Sequence, residues 1–351
     1  MAIKDGFIDL WSGRDLFNQG AGLKLQRGKT RIVGLGSALV DILVNESDDF
    51  IRRIGVKKGG MTLVDMPDLE KILNQASTRP IVVPGGSACN TAVGIGRLGG
   101  RARFVGKRGN DDTGLFFQNA LVERGVDPFL TASALPTGRV LSIITPDAQR
   151  TMITYLGASA DTQPEEITPE CFTDSAVVHM EGYLLFNPDL MTASLKAAKN
   201  AGALVSLDLA SFTVVEQSKA LLDDMIEQSV DILIANEDEA LAYTGLKDET
   251  QALDRLARHV NIAVLKVGAR GSFIQHEDRV WRIPAQGSGT AVDTTGAGDL
   301  WASGFLYGLV CGFALEKCGR LASACGYEVC QVVGADIPAD GWTRIKKKLE
   351  E

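Results

Sequence analysis

The sequence predicts an α/β protein, a doubly wound and mainly parallel sheet carrying a small β-sheet lid. Three observations predict it. Short β-branched runs alternate with helical patterns from Arg31 onward. Several of these runs are apolar throughout, as expected of strands covered on both faces rather than one. Two further stretches break the alternation and read as antiparallel excursions.

Taken in order, residues 1–27 read as an N-terminal leader, with Gln19-Gly20-Ala21-Gly22 ahead of the first strand, and 28–351 as one domain. Strands are expected over 31–36, 102–106, 176–180, 203–208, 231–235 and 262–267. Segments 188–200 and 214–229 place apolar residues at helical spacing, so the chain reads as βαβ units. Residues 138–156 read as a hairpin turning at Pro146-Asp147-Ala148-Gln149, and 55–66 as a turn plus strand. The lid is expected from these excursions, near 43–66 and 137–157, over the ligand end of the sheet. A pair of ordinary surface hairpins fits the same residues.

Composition excludes several function classes. The 36 basic and 44 acidic side chains among 351 residues leave a formal charge of −8, against a general nucleic-acid surface, which needs a basic stripe. No apolar run reaches the ~18 residues that span a bilayer, and the charged N-terminus does not read as a secretory signal. Six cysteines without a C-x-x-C pair make no disulfide or zinc framework, and a reducing cytoplasm is expected. Cys311, Cys318 and Cys325, evenly spaced, read as small buried hydrophobes. His179, His259 and His276 are too scattered for a metal cluster or a triad.

The chemistry is expected in two glycine-rich helix entries. In Ala291–Val310, Gly296-Ala297-Gly298 opens a helix, where exposed amides and the helix dipole favour an anion. Asp299 follows in the first turn. It is either a dipole-complementing acid or, beside a phosphate cradle, a base for an attacking hydroxyl. The second entry, Pro84–Gly99, has Gly85 and Gly86 for a tight turn, Ser87 as a cap, and Asn90 one turn in, where its amide suits a vicinal diol. No Walker A run and no dinucleotide fingerprint is present.

Together, P-G-G-S-x-x-N near residue 90 and D-T-T-G-A-G-D ending at Asp299, with N-E-D-E at 236–239, resemble the signatures of the PfkB, or ribokinase-like, family of carbohydrate and nucleoside kinases. The resemblance runs from about Arg31 to about Pro338, and segments 34–42, 137–156, 230–240 and 293–309 look most like the adenosine kinase branch. It implies ATP-dependent phosphorylation of a primary hydroxyl, on a nucleoside such as adenosine or, alternatively, on a sugar such as ribose or fructose. It implies Asp299 as catalytic base, Gly296, Ala297 and Gly298 as anion hole, and Asp41, at the end of the first strand, with Gly85, Gly86 and Asn90 around the sugar. Asn236 and Glu239 would organise Mg²⁺ and phosphate through water, and the backbone at Asp293 and Thr295 would ligate a monovalent cation such as K⁺. Lys266, Gly268 and Gly271 would lie along the nucleotide.

Other transfers keep local alternatives. Asn236 and Glu239 also form a capping box, and Gly268 and Gly271 also suit a plain turn. Met61, Leu63, Met152 and Thr154 would contact the base or form the lid's own core. Arg150 would reach phosphates or be solvated, and Tyr183 would stack on a ring or pack. Ser37 stands where adenosine kinases usually carry Asn, and Asp208 keeps the first residue of a D-x-N-x-R segment without its Asn or Arg. The segments around Asp41 and Asn90 supply no Lys or Arg for a phosphorylated sugar. An apolar lid hairpin can pair with a second copy, so monomer and homodimer both remain open.

Overall fold

Continuous apolar strands need cover on two faces, and the computed structural model, which describes residues 25–26, 28–287 and 290–350, supplies it. Apart from residues 25 and 26, the leader expected over 1–27 lies outside the described residues.

The chain enters with β1 (Arg31–Leu35) and β2 (Leu39–Asn45), then α1 (Asp48–Ile54), β3 (Met61–Leu63), α2 (Met66–Leu73) and β4 (Ile81–Gly85). It continues through α3 (Ser87–Leu98), β5 (Arg101–Gly109), α4 (Asp112–Glu123), β6 (Val126–Ser133), β7 (Gly138–Ile144) and β8 (Arg150–Tyr155). Next come β9 (Ser175–Glu181), α5 (Pro188–Asn200), β10 (Leu204–Asp208), α6 (Phe212–Ser229) and β11 (Ile232–Asn236). After α7 (Glu237–Thr244) and α8 (Glu249–Leu256) follow β12 (Ile262–Lys266), β13 (Ser272–His276) and β14 (Arg279–Ile283). Helices α9 (Ala297–Val310), α10 (Leu315–Val329) and α11 (Ala339–Glu350) end the described chain.

Nine strands form the body sheet in the order β14-β13-β12-β11-β10-β9-β1-β5-β6, parallel from β12 to β6 with β13 and β14 added antiparallel. Successive strand residues point to opposite faces. Val33, Val178, Val205 and Leu233 therefore pack under α5 to α8, while Ile32, Val177, Ile232 and Val264 pack under α3, α4, α9 and α10. The winding direction reverses between β1 and β9, and crevices for ligands form at the carboxyl ends of strands at such a point. Cys318 and Cys325 are buried as expected, and Cys311 is half-buried. Among the described residues no helix is long and apolar enough to cross a membrane.

The lid is a five-stranded sheet ordered β3-β8-β7-β2-β4. It has its own core, Ile42, Val44, Phe50, Ile51, Leu69, Leu141, Ile143 and Ile153, covered by α1 and α2. Two corrections follow. Asp41 was expected at the end of the first strand, but it sits mid-strand in β2, a lid strand separated from β1 by three residues. The lid also extends to β4, whose Pro84 interrupts the sequence pattern yet is tolerated on an edge strand.

Candidate active site

A cleft of about 190 Å³ lies where the lid faces the carboxyl ends of β1, β9, β10, β11 and β12. The structure brings Ser37, Asp41, Met61, Gly86, Ser87, Asn90, Arg150, Met152, Thr154 and Tyr183 to its walls, together with Asn236, Glu239, Lys266 and Gly296 to Asp299.

Asp299 stands in the first turn of α9, which opens at Gly296 in the left-handed region at φ 74°. Its carboxylate is held from both sides by α3: Ser87 Oγ donates to Oδ1 at 2.8 Å and Asn90 Nδ2 donates to Oδ2 at 2.8 Å. Thr91 Oγ1 also donates to the Asp299 carbonyl, at 3.1 Å. Burial raises the acid above the usual carboxylate range, against the two hydrogen bonds and Arg150, which lower it. Ser87 was expected to cap α3. It does not, because Gly86 takes the cap position and Ser87 is the first helical residue, free to reach Asp299. The two helices approach this closely because a Cβ on Gly94 of α3 would fall 2.3 Å from Ser303 Oγ of α9.

The cradle is narrower than the expected three amides. Ala297 N–H donates to the Thr294 carbonyl at 3.2 Å. Gly298 lies in the first turn, where amides lack intrahelical acceptors, and the one side chain within 4 Å of a Cβ placed there is Lys266, with Nζ at 3.0 Å.

Asp41 faces the cleft from β2 and is pushed up to about 6 by burial, opposed by Arg150 and assisted by Asp299 and Asp293. Gly85 does not line the cleft but makes room for this carboxylate, since its Cβ would fall 2.4 Å from Asp41 Cγ. Gly86, at φ 99°, brings its backbone against Ser37 O, 2.4 Å from where a Cβ would be. Met61, Met152 and Thr154 line the cleft rather than the lid core, whereas Leu63 is exposed. Tyr183 stacks on Phe186 and donates to Ala210 O at 3.3 Å. The hairpin tip rests on the cradle loop, where Thr294 Oγ1 donates to Ala148 O at 3.2 Å.

Asn236 and Glu239 form the capping box: Glu239 N–H donates to Asn236 Oδ1 at 2.9 Å, and Asn236 N–H and Nδ2 donate to the two Glu239 oxygens at 2.7 Å each. Burial first, then Asp208, pushes Glu239 up to about 7. Besides Gly85 and Leu63, four expected site residues fall outside the cleft lining. Gly268 and Gly271 form the turn into β13, where a Cβ on Gly271 would meet Ile283 O at 2.0 Å, so a tight backbone approach explains the glycine. Asp293 is buried and accepts from Thr295 N–H at 2.9 Å, Thr295 Oγ1 at 2.7 Å and Gly334 N–H at 2.8 Å.

One group was missed, and one pairing of residues already singled out was not foreseen. Glu181, last in β9, lines the cleft and accepts from Ser37 N–H at 2.8 Å and Ala88 N–H at 3.0 Å. Burial pushes it up to about 7 against those bonds. Its signal was an acid closing an otherwise apolar strand. The other is the ion pair of Asp208 with Lys266, 2.7 Å apart at the ends of β10 and β12.

A model of the pfkB family carbohydrate kinases matches residues 61–341. A ribokinase from Arabidopsis thaliana is 33% identical over 273 residues, covering 73% of this chain and 69% of that protein. Among solved structures, an adenosine kinase from Sinorhizobium meliloti superposes with a TM-score of 0.86 at 31% identity, covering 91% of this chain and 99% of the other. A probable sugar kinase from Rhizobium etli does so with a TM-score of 0.87, also at 31%, covering 92% and 99%.

Proposed function

Since the chain belongs to the pfkB family of carbohydrate kinases, a family of phosphotransferases acting on hydroxyl groups, we propose that it moves the γ-phosphoryl group of ATP to the primary hydroxyl of a ribose-containing nucleoside, adenosine by preference. The observation that carries this reading is the Asp299 carboxylate, half-buried in the cleft beside Gly298 and fixed by Ser87 and Asn90.

In the transfer, a bond forms between the acceptor's hydroxyl oxygen and the γ-phosphorus as the bond from that phosphorus to the β-bridging oxygen breaks. Asp299 takes the hydroxyl proton, and ADP leaves with the bond's electron pair. The Gly298 amide and the start of α9 face the charge that accumulates on the migrating group. Asp41 and the remaining polar atoms of Asn90 orient the sugar hydroxyls, since the Asn90 amide keeps an oxygen and one N–H beyond its bond to Asp299.

Among the described residues no three His, Cys, Asp or Glu side chains converge as a metal site. That suits Mg²⁺ arriving with phosphate and keeping waters, which Asn236 and Glu239 would bind, and it would neutralise phosphate charge. A monovalent cation would rely on main-chain oxygens at Asp293 and Thr295, as their side chains bind each other. Free cysteines throughout suit a reducing cytoplasm.

The lid face supports a nucleoside. Leu39, Met61, Val140 and Met152, with Tyr183 and Phe186 opposite, offer apolar surface for a flat base, which a free sugar would leave uncovered. A free sugar is the second reading, favoured by the similarity to a ribokinase. An ADP-forming assay with Mg²⁺ over a panel of nucleosides and sugars tests both. Adenosine should give the highest kcat/KM, and turnover confined to ribose or fructose would overturn the nucleoside reading.

A further inference from the structure

The cleft is lined by five carboxylates, Asp41, Glu181, Asp208, Glu239 and Asp299, and by two cations, Arg150 and Lys266. A polyanionic triphosphate entering such a site needs positive charge close to the group that moves. Arg150 belongs to the lid. Lys266 belongs to the body sheet, at the end of β12, directly under the cradle.

A buried ion pair alone is weak evidence of anything beyond packing. The position of this one adds a second observation. The Lys266 ammonium lies 3.0 Å from where a Gly298 Cβ would be, beside the first turn of α9. That helix end carries partial positive charge, so a cation there has the wrong sign. An anion between amide and ammonium reverses that sign, because both then point at it. Among the described residues Lys266 makes one side-chain hydrogen bond, to Asp208 Oδ2 at 2.7 Å, and an ammonium has three donors. The D-x-N-x-R segment, reduced here to Asp208-Leu209-Ala210-Ser211-Phe212, lacks the arginine that could have brought charge to this end of the cleft.

We propose that Lys266 is the cation that contacts the transferred phosphoryl group, and that Asp208 is its positioning residue, holding the ammonium under Gly298. This rests on the kinase reading above.

Lys266→Met, Lys266→Arg and the double variant Asp208→Asn/Lys266→Met test it, the last removing the stranded carboxylate in case the single change fails to fold. Two readouts are needed: steady-state rates, and calorimetric affinity for a non-hydrolysable ATP analogue and for ADP without acceptor. Removing one preorganised donor at a developing charge lowers kcat by about 10²–10³-fold. That loss is expected in Lys266→Met and in the double variant with little change in acceptor KM, together with a larger affinity loss for the triphosphate than for ADP. Lys266→Arg should recover part of both. Asp208→Asn should lower the triphosphate-to-diphosphate affinity ratio, a selective change that a merely structural carboxylate would not make. An active parent whose Lys266→Met variant keeps parental kcat and affinity ratio overturns the assignment alone. A parent that binds the triphosphate in a Lys266-dependent way yet phosphorylates nothing overturns the acceptor reading and leaves Lys266 standing.

Discussion

Replacing Asp299 by Asn separates chemistry from architecture. The carboxylate accepts one hydrogen bond from Ser87 Oγ and one from Asn90 Nδ2. An Asn side chain can turn its oxygen toward Asn90 and donate its N–H₂ to Ser87, whose hydroxyl accepts as well as donates. Both contacts survive, and the largest influence on the acid, its burial, disappears with the charge. Asp299→Asn should therefore melt at or slightly above the parent's temperature. Its turnover should fall by the ~10²–10⁴ that a positioned base contributes, a barrier increase of about 3–5 kcal/mol. In the parent, rate should fall on the acid side as Asp299 takes up a proton, with a midpoint above the ordinary 3.8 because its folded value is raised. Asp41 also titrates near 6. Asp41→Asn should keep the acid limb that Asp299→Asn loses. Steady-state ADP release across pH, with melting curves on the same samples, provides the measurement. A folded Asp299→Asn protein turning over within about threefold of the parent would refute the base assignment, since a base contributes at least ~10².

Other expectations follow from single contacts. Gly85→Ala puts a Cβ 2.4–2.6 Å from the Asp41 carboxyl atoms. It should raise acceptor KM about tenfold, the equivalent of ~1.4 kcal/mol of lost contact, without a matching rise in nucleotide KM. Gly298→Ala should strengthen α9 by roughly 0.5–1 kcal/mol while crowding Lys266, so a higher melting temperature should accompany a higher ATP KM. Glu181 holds its proton more tightly folded than unfolded, about 7 against 4.5. Its contribution is therefore complete below the unfolded value and is lost as pH rises through the folded one. The parent's melting temperature should decline between pH ~5 and ~8, and Glu181→Gln should flatten that decline while losing about 1–3 kcal/mol overall, because one buried N–H then faces an amide N–H₂.

The body sheet was legible because its strands are apolar on both faces: runs such as IAVLK and ILIAN have no other stable home. The lid was harder to read. LVDILVN follows the first strand after a three-residue link with no turn signature, so Asp41 read as a strand end. The strand in IVVPG was not read, because its Pro84 and Gly85 were taken as the entry to the helix that follows. Ser47 and Asp65 cap α1 and α2, yet neither helix was read from the sequence, because each lasts only about two turns and they flank the stretch 55–66 that reads as turn plus strand. Within the cleft, glycine entries and the acid after them carry local signals. Glu181 carries only the signal of an acid closing a strand and the pairing of Asp208 with Lys266 carries none, because their meaning comes from partners far along the chain, 144 positions for Ser37 and Glu181 and 58 for Lys266 and Asp208.

The Gly94–Ser303 crossing sets the start of α3 against the start of α9, and the lid touches that assembly through the Thr294–Ala148 bond at the hairpin tip. One end of the cleft is thus a jig and the other a cover that meets it at the hairpin tip. On the nucleoside reading, acceptors altered in the heterocycle meet the lid wall and should lose residence time by degrees. Acceptors whose alcohol is displaced meet a fixed gauge and should fail outright, so tolerance in this protein is directional.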